Sequence, residues 1–357
     1  MNLAFAINRK FIPHFMAVLK SIESSNNKDR SIIINVLFLD LLERDLSNIK
    51  NEFSCFSFVW HDMKEYNFNN FFVNAHISYE TYFRIMIAEI IKEDKVLYLD
   101  SDLIVRKSLS ALYDKNIESY AVAAIYDYKA QNRKQELDMP EFADYFNAGV
   151  LLMNLKYWRE YDLTDRLVGY IQSKGSKLIY WDQDALNALL YDKVLIIEDT
   201  WNVQTASFEP DNIDKAILED PAIVHFTGAS KPWHISSSSI YQSEYLSYLS
   251  QTSVKYLGLV SKNVKKILNS KKDIYIWGAG ITGEKVYQYL GVDIKGFIDS
   301  DSMKAGQRFN GKPIYSIEEL SNSRDIGILI CTGYYNEIAE ILKALGYKEN
   351  IDFVHQM

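Results

Sequence analysis

Short apolar runs alternate with helical patterns from the first residues: "LAFAI" at 3–7, a helical face through Phe15, Leu19 and Ile22, "SIIINVLFLD" at 31–40, a helical stretch near 42–53, and "FSFVW" at 56–60. Alternation of this kind predicts an α/β fold, with helices on the faces of a mixed, mostly parallel sheet. Further strands are expected at 95–99, 120–126, 148–153 and 222–226, with helices at 79–91 and 182–191.

The texture changes once. Residues 254–272, "VKYLGLVSKNVKKILNSKK", hold six lysines and no acid, with Tyr256, Val260, Val264 and Leu257, Val264, Leu268 at helical intervals. This predicts a basic amphipathic linker helix, packed on one neighbour or touching anionic membrane lipid or an acidic partner. A new α/β pattern then runs to the end. The expected organisation is therefore a first domain at 1–253, a linker helix at 254–272 and a second domain at 273–357, in line with about two domains for 357 residues.

Composition narrows the partners. The chain is 48% hydrophobic with a net charge of −8, so it has no general basic field for nucleic acid. Cys55 and Cys331 lie far apart in apolar stretches, which suits two reduced core thiols and a cytoplasmic setting. The N-terminus reads as a first strand rather than a signal peptide, and no run approaches the roughly 18 apolar residues of a membrane span.

The chemistry begins at "KVLYLDSDLIV", 95–105. A buried strand ends in Asp100, Ser101 and Asp102, and alternate residues of an extended segment share a side. Two carboxylates at the C-terminal edge of a parallel sheet repel unless protonated or given a cation, and hard oxygen ligands favour Mg²⁺ or Mn²⁺. Taken by itself the triplet also fits two solvated turn aspartates. Downstream, "FNAGVLLMNL" (146–155), "YWDQDALNALL" (180–190) and "IVHFTGASKPW" (223–233) each set polar groups beside glycine or a short apolar strand.

In this order, and with "LAFAINRKF" and "SYETYFRIMIAEII" ahead of them, these segments resemble the family 8 retaining glycosyltransferases, which include bacterial lipooligosaccharide galactosyl- and glucosyltransferases and glycogenin. The resemblance covers roughly residues 1–250 and implies a GT-A fold, a UDP-galactose or UDP-glucose donor, and a glycan acceptor that is a polysaccharide, lipid-linked or protein-linked. It makes Asp100, Asp102 and His225 metal ligands, for Mn²⁺ with Mg²⁺ as the alternative; an imidazole suits Mn²⁺. It puts Ala6, Ile7, Asn8 and Phe11 against the nucleotide, although Asn8 and Lys10 stand where Asp and Asn are frequent. It assigns Arg84, Ser101, Gly228 and Lys231 to the donor, and Asp127, Asn147, Asp182 and Gln183 to the sugar, with Gln183 near the anomeric carbon. The plainer readings are an Arg84 pair with Glu80, a satisfied core histidine at 225, a surface lysine at 231, a tight strand entry at "FNAGV" and helix capping by Asp182.

The last segment, "IYIWGAGITGEKVYQYL", is a strand, a glycine loop with Gly278, Gly280 and Gly283, and a helix; "IKGFIDSD" follows with Asp299. That is the setting of a dinucleotide fingerprint, but too little chain follows for both halves of such a fold. The segment also resembles small Rossmann-like modules attached to sugar-modifying enzymes. A structural or homo-oligomerising role is expected, against an NAD- or nucleotide-binding oxidoreductase or sensor centred on the glycine loop.

Overall fold

The structure is a computed structural model describing residues 1–26, 30–66, 68, 71–72, 79–207, 215–228, 230–234, 237, 239–254, 262–290, 292–320 and 325–356. The chain divides into two compact units, Met1–Ala229 and Ser230–Met357.

Among the described residues the first unit carries ten strands: β1 (Asn2–Ala6), β2 (Ile33–Phe38), β3 (Ser57–Asp62), β4 (Lys95–Leu99), β5 (Leu103–Val105), β6 (Val122–Tyr126), β7 (Phe146–Asn154), β8 (Val194–Ile196), β9 (Val203–Gln204) and β10 (Ile223–His225). Seven form one sheet in the order β3-β2-β1-β4-β7-β6-β8. It is parallel except for β7, which runs against both β4 and β6. The apolar stretches of β4 and β7 are buried because helices cover both faces of the sheet, which is why they lack a polar-apolar alternation. Against β6 the register of β7 shifts between Ala123 and Ile125, an irregularity that on β7 falls between Asn147 and Leu152.

Asp100–Ser101–Asp102 is where the chain leaves this sheet. After β4 it turns and enters β5, which pairs antiparallel with β10 in a small sheet ordered β5-β10-β9. The helix expected at 79–91 is a 3-10 run, Tyr79–Met86, followed by a single α turn, Ile87–Ile90.

The second unit carries β11 (Asp273–Trp277), β12 (Gly296–Ile298), β13 (Arg308–Phe309), β14 (Lys312–Tyr315), β15 (Ile326–Ile330) and β16 (Phe353–His355), ordered β13-β14-β12-β11-β15-β16 and parallel except for β13. The division between the units falls ahead of the expected 253. Lys285 Nζ reaches back to Gln242 Oε1 at 3.1 Å and the Ser237 carbonyl at 3.4 Å, tying the segment after 230 to the second sheet's helix Ile281–Leu290. Of the expected linker helix, 255–261 lie outside the described residues; the described helix, Lys262–Ser270, buries Val264 and Ile267 in the second core. A Cβ on Gly327 would come within 2.4 Å of Ile267, so glycine there lets the helix lie on the sheet.

The two thiols are not alike. Cys331 is buried as expected, but Cys55 is exposed, beyond the end of the helix Glu43–Glu52, where its Sγ meets Glu23. Among the described residues, no helix is long and apolar enough to cross a membrane.

Candidate functional site

The β5–β10 register builds the centre of the site. His225 lies opposite Leu103, and the Phe226 amide donates to the Asp102 carbonyl at 2.9 Å, so the imidazole arrives beside the carboxylates. Its Nε2 is 3.2 Å from Asp102 Oδ1 and 3.7 Å from Asp100 Oδ2. One ligand atom from each of Asp100, Asp102 and His225 lies within 4.8 Å of the others. His225 Nδ1 meets Asn202 Oδ1 at 3.0 Å. With Nδ1 so engaged, Nε2 and two carboxylate oxygens face one another, an arrangement that fits a divalent cation.

Arg84 joins this centre to a second carboxylate. Its guanidinium is buried, 3.2 Å from Asp100 Oδ1 and 2.8 Å from Asp182 Oδ2, and also donates to the Ala148 carbonyl. It lies 4.6 Å from the centroid of the Tyr98 ring, whose hydroxyl donates to Asp100 at 2.8 Å. Burial works against the charged guanidinium, but Asp100 and Asp182 outweigh it and hold its pKa above the usual arginine value. The expected partner Glu80 is not what Arg84 pairs with: it pairs with Asp100 and Asp182 instead. Asp182 opens the helix Trp181–Leu190, accepts from Thr81 Oγ1 at 3.0 Å, and is pushed up to about 6 by burial. It does not serve as the N-cap of that helix; Tyr180 holds that position.

A third group, Asp127, Asn147 and Gln183, interlocks at the β7 irregularity. Asn147 Nδ2 donates to Asp127 at 3.2 Å and Gln183 Nε2 donates to the same Oδ2 at 3.1 Å. Gln183 Oε1 accepts the Ala148 amide at 2.9 Å, and Asn147 Oδ1 accepts the Gly149 amide at 3.0 Å. Asp184, one residue on, accepts from Tyr145 OH at 2.7 Å, the Tyr180 amide at 3.0 Å and Arg133 Nη2 at 2.8 Å.

Ala6, Ile7, Asn8 and Phe11 line one cleft with Arg84, Asp100, Ser101 and Asp102. Asn8 Oδ1 caps the short turn that carries Phe11. Gly228 has φ +77°, a conformation glycine adopts freely. Lys231 falls in the second unit, its ammonium 6.0 Å from the Trp233 ring centroid. Several site groups carry no assignment from the sequence. They are Thr81, Tyr98, Asn202 and Gly149, whose hypothetical Cβ would sit 2.1 Å from His225 Cε1. Glu80 also lines the cleft, and its Oε2 is buried and takes no hydrogen bond among the described residues.

A mostly parallel sheet with a carboxylate–carboxylate–histidine centre where β4 passes to the small sheet defines a GT-A glycosyltransferase. The chain belongs to glycosyl transferase family 8, whose family model matches residues 2–236. General stress protein A of Bacillus subtilis (strain 168) is 33% identical over 199 residues, 52% of this chain and 70% of that protein. The lipopolysaccharide 1,2-glucosyltransferase of Escherichia coli (strain K12) is 32% identical over 43% of this chain, and the match spans 48% of that enzyme's length. The galactosyltransferase LgtC, solved with donor and acceptor sugar analogues, superposes with a TM-score of 0.63 at 26% identity over 74% of this chain and 99% of LgtC. A second family model, C2185-like N-terminal, matches residues 269–351.

Proposed function

We propose that the chain is a retaining hexosyltransferase that moves galactose or glucose from a UDP-sugar to a glycan acceptor with a divalent ion, Mn²⁺ before Mg²⁺, in the cytoplasm. The convergence of Asp100, Asp102 and His225 carries this reading, because both carboxylates line the cleft shared with Ala6, Ile7, Asn8 and Phe11. Asp100, Asp102 and His225 Nε2 would hold the ion, which when bound supplies positive charge to the donor diphosphate. Phe11 packs against the uracil and Asn8 meets its polar edge. Arg84 adds a fixed positive charge and orients Asp182, which accepts from donor-sugar hydroxyls.

Asp127 and Asn147 hold the Gln183 carboxamide at the anomeric carbon. The acceptor hydroxyl attacks on the face the diphosphate leaves. The anomeric C–O bond to phosphate breaks with its electron pair on the phosphate oxygen, the bond to the acceptor oxygen forms, and the acceptor proton passes to the departing phosphate. A covalent route would need a free carboxylate here, and Asp184 is tied to Arg133, Tyr145 and the Tyr180 amide, Asp127 to Asn147 and Gln183, and Asp182 to Arg84 and Thr81. The glycine loop of the second unit supports a dinucleotide less well, since Asp299 Oδ2 already accepts the Ala279 amide and Lys304 Nζ, both at 2.9 Å.

The test is a melting-temperature titration followed by a donor panel. UDP with Mn²⁺ should stabilise the protein as RT ln(1 + [L]/Kd), more than either alone and more than NAD. UDP-galactose or UDP-glucose should then be hydrolysed slowly to the α-anomer. A β-configured product would refute same-face transfer, and stabilisation by NAD alone would move the function to the glycine loop.

A further inference from the structure

We propose that Asn202 is a positioning residue that fixes the tautomer of His225 and couples the metal centre to the sugar-handling group. The metal part of this inference rests on the reading above; the tautomer part rests on hydrogen-bond polarity. Asn202 is 2% exposed and stands between His225, 3% exposed, and Asn147, 7% exposed. It directly precedes β9, which lies parallel to β10, so the sheet register sets its amide against the His225 ring.

Two fixed ends orient the whole chain of bonds. A backbone N–H can only donate, so the Gly149 amide, 3.0 Å from the Asn147 side chain, identifies the atom it meets as Asn147 Oδ1. The Asp127 carboxylate accepts at 3.2 Å, so the atom facing it is Asn147 Nδ2. Asn202 meets Asn147 Oδ1 at 2.9 Å and must therefore present its Nδ2 there. Its Oδ1 is then left for His225, and an oxygen acceptor 3.0 Å from Nδ1 requires Nδ1 to carry the proton. The consequence is that Nε2, 3.2 Å from Asp102 Oδ1, is the ring nitrogen left to face the gap between Asp100 and Asp102, where a divalent ion would take its lone pair. One buried amide thus transmits the acceptor character of the Asp127 carboxylate to the histidine, through Asn147 Nδ2 and Oδ1 and then Asn202 Nδ2 and Oδ1.

The amide has two jobs, and two substitutions separate them. Asn202→Asp keeps an acceptor for His225 Nδ1–H but sets a carboxylate oxygen against Asn147 Oδ1. Asn202→Leu removes both contacts with little change in volume.

The experiment uses the full chain with ¹⁵N-histidine labelling and no metal, followed by calorimetric Mn²⁺ titration and steady-state kinetics. Metal-free wild type should show a proton on His225 Nδ1. Asn202→Leu should lose that signature and weaken Mn²⁺ about 10- to 100-fold, the range for losing such an outer partner. Asn202→Asp should keep Mn²⁺ within about threefold of wild type and lower kcat at least about tenfold, because only the Asn147 end is broken. No proton on His225 Nδ1 in wild type, Asn202→Leu with unchanged Mn²⁺ affinity and His225 signals, or Asn202→Asp losing metal as severely as Asn202→Leu would each overturn the proposal. A wild type with a proton on His225 Nδ1 that binds no Mn²⁺ would support the relay while removing the metal reading.

Discussion

At the scale of single residues, the site works by placing charge where burial makes it expensive. Asp182 is the clearest case: it is 2% exposed, and burial outweighs the opposing pull of Arg84 and Thr81, raising its pKa from 3.8 to about 6. A folded pKa above the unfolded one means that the folded state keeps its proton longer. Its contribution to stability is therefore fully present below about pH 4 and lost as the pH rises through about 6. Asn cannot titrate, so metal-free Asp182→Asn should gain on wild type across that window by up to about 3 kcal/mol. Urea unfolding from pH 4 to 7 checks this, and a constant difference would contradict it. The ligand triplet makes a separate prediction: Asp100→Asn, Asp102→Asn and His225→Ala should each abolish Mn²⁺-dependent donor hydrolysis with the circular dichroism unchanged. Normal turnover by Asp102→Asn, or full activity in excess chelator, would remove the metal from the mechanism.

At the scale of elements, two departures from a regular parallel sheet make the site. The antiparallel β5–β10 pair brings His225 to Asp102, and the β7 irregularity lets Asn147, Ala148 and Gly149 each bond a different site group. Gly149→Ala puts a methyl 2.1 Å from His225 Cε1 and 2.8 Å from Asp100 Oδ2, so the imidazole has to move. We expect a loss of about 1–3 kcal/mol of stability from overpacking, together with at least a hundredfold weaker Mn²⁺ binding. Wild-type affinity in calorimetry would show that β7 does not set the histidine. These contacts also mark where the sequence stopped being readable. Asp100, Asp102, His225 and the interlocked Asp127, Asn147 and Gln183 stood out through short motifs. Asn202, Thr81 and Gly149 act across 23, 101 and 76 residues of chain to His225, Asp182 and His225, and no local spacing encodes a strand register. The 3-10 character of Tyr79–Met86 was hidden for a related reason, since apolar periodicity there fits either helix.

At the scale of the whole molecule, each unit has its own core, and the glycines of the second unit's loop differ in what surrounds them. Gly283 is a packing glycine: a Cβ there would sit 1.9 Å from the Gly278 carbonyl, holding the helix Ile281–Leu290 off β11. Gly280 faces open space; in the dinucleotide pattern the middle glycine leaves room for a pyrophosphate and the last one lets helix and strand pack, and the packing role is the one seen at Gly283. The packing contact in this loop therefore falls to Gly283 and not to Gly280. If the second unit stands on its own core, Gly283→Ala should lower one calorimetric transition by several degrees, while Gly280→Ala leaves both where they are. The transition raised by UDP and Mn²⁺ should be the one that Gly283→Ala does not move. A single transition shifted by Gly283→Ala and by UDP alike would mean that the two cores unfold together. Saturable NAD binding by the full chain, abolished by Gly280→Val, would instead show that the open space at Gly280 is filled by a phosphate and return the glycine loop to a binding role.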